Sequence, residues 1–139
     1  MVEYATEDSF LQPEKIVNKY YKALYGGDLH CVKSLMTWKS YTMMLESFGL
    51  RLSLRDLSFK RQLEKIEEDA SLLQEVEKKL SSELLLRNRS PEINIQQIEP
   101  NGSERKTVSY KEDGKAKKLY FSKKDDCWLI DYYAGRPVS

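Results

Sequence analysis

Residues Pro91 to Tyr133 hold four β-type runs joined by three short polar turns, and the chain before them reads as helix. Helices first and a meander last is the most constraining feature of the sequence. Short turns allow only antiparallel pairing, because a parallel pair needs a long crossover. The runs fall at about 92–99, 105–111, 115–122 and 127–133. Asn101-Gly102, Asp113-Gly114 and Lys123–Asp126 supply the turns, Asp-Gly being a strong hairpin signal. In the last run Trp128, Ile130 and Tyr132 alternate against Cys127, Leu129, Asp131 and Tyr133, so one face is apolar. Val108, Tyr110, Leu119 and Phe121 extend that face to the neighbouring strands. The expected class is α+β, with N-terminal helices packed on one side of a four-stranded antiparallel sheet.

The helical part has its own punctuation. Pro13 suits a first helical turn, and Ile16, Val17, Tyr20, Ala23 and Leu24 follow as one stripe. Gly26-Gly27 ends that helix and Asp28 caps the next, whose inner face is Leu29, Val32, Leu35 and Met36. Trp38, Tyr41, Met44, Leu45 and Phe48 carry the pattern to Gly49. Ser53 with Asp56 resembles a capping box opening the longest helical region. There Phe59, Leu63, Ile66, Ala70, Leu73, Leu80 and Leu84 step by threes and fours, with Glu77 interrupting the seam. One unbroken helix over 54–87 would be about 50 Å long, too long for a chain of this size. A break near Asp69–Ser71 is therefore favoured, with a protruding, dimerising helix as the alternative.

The 139 residues are the size of one domain, divided as a lead-in 1–12, a helical part 13–87 and a meander 92–133. A net charge of +1 provides no global field favouring nucleic acid or an anionic membrane. No apolar stretch is long enough to span a bilayer, and the acidic N-terminus lacks a leader pattern. A cytoplasmic location is expected, or a periplasmic one if a leader has been removed. Cys31 and Cys127 are in no metal-type spacing and are expected as two buried free thiols, although one bridge is open to them in an oxidising compartment.

Two segments carry a resemblance. Val17 to Asp28, with Ala23-Leu24 and Gly27-Asp28, and Lys124 to Asp131, with Trp128-Leu129-Ile130-Asp131, are similar to the opening and closing motifs of the nuclear transport factor 2-like superfamily. The likeness is closest to small bacterial branches related to lumazine-binding-type domains, and it covers about residues 13–133. It implies a cone-shaped, cystatin-like roll with a curved sheet, closed at one end by Trp128 against the first helix. It also implies a ligand site inside the cone. The long 54–87 helical run departs from that pattern.

Enzymes of that fold, such as ketosteroid isomerase and scytalone dehydratase, resemble one another in holding an Asp/His or Asp/Tyr set inside the cone. Here His30 stands at the first turn of the second helix, and Asp131 alternates away from Trp128 and Ile130. A lone imidazole without a placed carboxylate is no assigned base, and the reading leans away from catalysis. Tyr20, Tyr41, Trp128 and Tyr132 are the residues expected to line a pocket, with apolar walls and polar tips. Arg105, Lys106, Lys111, Lys115, Lys117, Lys118, Lys123 and Lys124 make the meander basic, while Glu64, Glu67, Glu68 and Asp69 make part of the helical run acidic. The basic set suits an acidic partner or a solvated sheet face. Nothing in the sequence argues for a metal or a cofactor. The favoured function is a non-catalytic module binding a small apolar ligand or a protein, acting as a homodimer. An isomerase or dehydratase using a carboxylate or tyrosine in the cone is one alternative. A helical adaptor that dimerises through 54–87 is the other.

Overall fold

The computed structural model describes residues 11–134. The first ten residues of the expected lead-in lie outside them. Five helices precede four strands: α1 Pro13–Tyr25, α2 Leu29–Ser34, α3 Trp38–Arg55, α4 Leu57–Glu64, α5 Ala70–Arg87, then β1 Ile93–Pro100, β2 Arg105–Glu112, β3 Lys115–Lys124 and β4 Cys127–Ile130. The α+β class is as expected.

Each helix boundary has a local cause. Pro13 opens α1, and Gly27 at φ 74° makes the reversal after it. The Asp28 carboxylate accepts the Cys31 N–H at 3.1 Å and starts α2. The Thr37 hydroxyl accepts from Ser40 N–H and starts α3. That helix runs through Gly49, which is buried against the Phe59 ring, an added Cβ there standing 3.0 Å from it. Asp56, not Ser53, is the next cap, accepting from Phe59 N–H at 3.1 Å. Asp69 then caps α5, its carboxylate accepting from Ser71 N–H at 2.9 Å. The 54–87 run is thus cut at Asp56 and again over 65–69. Most of its seam is spent inside the molecule: Phe59, Leu63, Ile66, Leu80 and Leu84 are buried in the chain's own core, Leu73 is half-buried and Ala70 exposed.

The strands pair in sequence order, β1-β2-β3-β4. Asp113 and Gly114, both at positive φ, make the β2–β3 turn, and Asp125 and Asp126 make the β3–β4 turn the same way. Val108 pairs with Leu119 and Phe121 with Ile130, which sets these four on the helix-facing side. There α1 meets the sheet. The Tyr21 and Tyr110 hydroxyls are 2.6 Å apart, and Ile16, Val17 and Leu24 are buried with Phe121 and Ile130 in one apolar core. The segment Leu35–Thr37 covers the β4 edge, Ile130 N–H donating to Leu35 C=O and Thr37 N–H to Ile130 C=O.

The expected curved roll is not what forms. The sheet is flat and uncurled, and this overturns the cone-shaped, cystatin-like assignment and the resemblance that suggested it. Two features account for the difference. Bulges bend sheets, and the β2–β3 register runs without interruption from Arg105↔Ser122 to Glu112↔Lys115, leaving one shift in β1 between Ile95 and Gln97. The closing strand is also short. β4 stops at Ile130 because Asp131 begins a turn, accepting from Tyr133 N–H at its carboxylate and from Ala134 N–H at its carbonyl. Four residues extend roughly 13 Å, too little to wrap α1.

Candidate functional site

Without a cone there is no interior for a ligand, so the small-ligand module and the cone-cavity isomerase or dehydratase both fall. The adaptor built on 54–87 falls too, since most of its apolar seam is buried within the chain. Among the described residues no group of three or more His, Cys, Asp or Glu side chains is placed to hold a metal ion. No described helix is long and apolar enough to cross a membrane.

The four residues expected at a pocket have the following places. Tyr20 is buried, and its hydroxyl meets that of half-buried Tyr132 at 3.4 Å. Burial, then the neighbouring Tyr132, raises the Tyr20 pKa well above its usual value. Tyr41 is buried elsewhere and donates to Glu77 at 2.5 Å, with Lys33 paired to the same carboxylate at 3.3 Å. Trp128 is half-buried at the sheet's end, between the ammonium groups of Lys106 and Lys123 at 4.9 and 5.8 Å from its ring centre. The structure therefore joins Tyr20 to Tyr132 and gives Tyr41 and Trp128 separate partners. His30 is exposed in α2, and Cys31 and Cys127 are free and half-buried.

The basic residues of the meander divide between the two sides of the sheet. Lys106, Lys115, Lys117 and Lys123 share the helix-facing side, while Arg105, Lys111, Lys118 and Lys124 share the other. Lys117 is engaged by Glu112, a buried carboxylate that also binds Arg89. Burial works to raise the Glu112 pKa, but Lys117 and Arg89 outweigh it and hold the group below the usual carboxylate range.

One cleft lies in the helical layer, where α3 turns into α4. Asp56 forces that corner and brings one face of α3 against α4 and the 65–69 link. The cleft has a volume of about 540 Å³. Leu63 and Ile66, both buried, form its floor and exposed Leu50 one wall. Glu46, Glu64 and Glu67 stand around it with Lys60, three carboxylates against one ammonium, and Thr42 and Ser53 complete the lining. None of the three carboxylates has an ion-pair partner among the described residues. Leu54, 81% exposed, and Leu57, 59% exposed, flank the corner.

Spacing hinted at half of this. Glu64 and Glu67 are three residues apart and are visible as part of an acidic run. Glu46 and Leu50 belong to a different helix, and only the Asp56 corner brings them to the same cleft. No family model, no curated protein and no solved structure matches the chain.

Proposed function

We propose that the protein is a non-catalytic docking module that receives a basic, amphipathic segment of a partner protein in the α3–α4 cleft. The observation that carries this reading is the pairing of an apolar floor with unpaired carboxylates around it. A segment with leucine-like side chains on one face and lysine or arginine beside them matches both parts. The apolar contacts supply affinity and the carboxylates select sign and orientation, since rim charges contribute more to steering than to binding strength. Exposed Leu54 and Leu57 extend the apolar surface beyond the cleft.

A labelled helical peptide of leucine and lysine in amphipathic register tests it by fluorescence anisotropy, with a scrambled peptide of equal composition as control. Saturable binding of the first alone is expected. Burying the Leu50 side chain on docking contributes about 1–1.5 kcal/mol, so Leu50→Ala should weaken binding about tenfold. The double variant Glu64→Lys/Glu67→Lys should remove the preference for the basic peptide. Equal binding of both peptides, or binding indifferent to these substitutions, would overturn the reading.

A further inference from the structure

A second cleft, about 530 Å³, lies between the last two turns of α1 and the 88–93 segment. It is independent of the docking cleft and has the opposite charge. We propose that it binds a small amphipathic monoanion, an apolar or aromatic body carrying one carboxylate.

Its walls are Tyr21, Tyr25, Pro91 and Ile93, and its cations are Lys22 and Arg89. Arg89 is held rigidly. Its guanidinium lies 5.0 Å from the centre of the Tyr25 ring, Nη1 donates to the Tyr25 hydroxyl at 3.0 Å, and Nη2 donates to Glu112 and Asp113 at 3.0 and 2.9 Å. These contacts use both Nη2 protons and one on Nη1. The Nε proton and the second Nη1 proton remain available, on a side chain whose position is already set. The two carboxylates balance Arg89 and Lys117 together, Glu112 being shared between them. Lys22, exposed in the last turn of α1, has no carboxylate partner among the described residues. The cleft therefore offers a pre-oriented guanidinium and one uncompensated positive charge, which suits a single negative charge. A carboxylate can accept from one of these guanidinium protons and from the Lys22 ammonium, and Tyr21, Pro91 and Ile93 give the ligand body an apolar seat. Ser90 adds a hydroxyl at the rim.

The test is a backbone-amide NMR titration of the whole chain with phenylacetate, its neutral counterpart phenylacetamide, and inorganic phosphate. Saturable shifts with phenylacetate are expected at Lys22, Tyr25, Arg89 and Ser90. Phenylacetamide and phosphate should each bind at least about fivefold more weakly, the scale of one charge interaction near a surface. Lys22→Gln, a change on an exposed helical position, should weaken phenylacetate by a similar factor while leaving circular dichroism unchanged. No saturable shift with phenylacetate, equal binding of phenylacetamide or of phosphate, or a Lys22→Gln protein that binds as well as the native chain would each overturn the proposal.

Discussion

Replacing Glu112 with glutamine keeps the shape of the side chain and removes the charge that ties the β2–β3 hairpin to the segment after α5. The carboxylate is almost fully buried, receiving Lys117 at 2.5 Å and Arg89 at 3.0 Å. Breaking one end of a fully buried pair costs about 3–5 kcal/mol. The Arg89 and Lys117 side chains are 42% and 47% exposed, however, so water recovers part of their charge. An exposed pair contributes only about 0–1 kcal/mol. The expected loss lies between those limits, about 2 kcal/mol at neutral pH, or a fall in Tm of about 6 °C for a chain of this size. The sign with pH follows from the lowered pKa of Glu112. A group depressed on folding stabilises fully above its unfolded-state value and loses that contribution as pH falls through the folded one. The gap between native and Glu112→Gln proteins should therefore be widest at neutral pH, begin to narrow as pH falls below about 4.3, and close below the lowered native value. Urea denaturation followed by circular dichroism at several pH values measures it. A gap below about 0.5 kcal/mol at neutral pH, or one that persists on acidification, would refute the reasoning.

Gly49→Val should destabilise by about 1–3 kcal/mol, because a Cβ there already meets the buried Phe59 ring at 3.0 Å; a neutral denaturation curve would show that α3 and α4 have room to separate. Trp128→Ala should cost about 2 kcal/mol rather than the full 3–5 kcal/mol of a core aromatic, since the indole is half-buried between two lysines. A loss above about 4 kcal/mol would place it in the closed core. Leu54→Ser should leave the unfolding free energy unchanged to within about 0.5 kcal/mol, given that Leu54 is 81% exposed; a marked loss in urea denaturation would mean that Leu54 is packed against the core.

Local chemistry in the sequence reached some features and not others. Asp28 and Asp113-Gly114 announce a cap and a hairpin because only a few residue types satisfy each backbone demand, and both stand where expected. Thr37, Asp56 and Asp69 were harder to see as caps, since the apolar spacing runs on through the first two and Ser71 competes with the third. Alternation in β4 correctly assigned Ile130 to the core face, but a period of two carries no information about curvature. The flatness of the sheet depends on an uninterrupted β2–β3 register and on Asp131 ending β4 early. Both are pairing and turn properties, and a short Trp-Leu-Ile-Asp motif does not encode them. The docking cleft was invisible for a related reason: Glu46 and Leu50 gain their meaning only when a corner sets them against Glu64 and Glu67.

The docking reading meets its most direct test in backbone-amide NMR of the labelled protein titrated with the leucine–lysine helical peptide. Shifts clustered at Thr42, Glu46, Leu50, Ser53, Leu63 and Ile66 are predicted, diminishing as salt is added because the surrounding charges are solvent-screened. Shifts centred on the sheet, or scattered over every acidic residue without saturation, would contradict it.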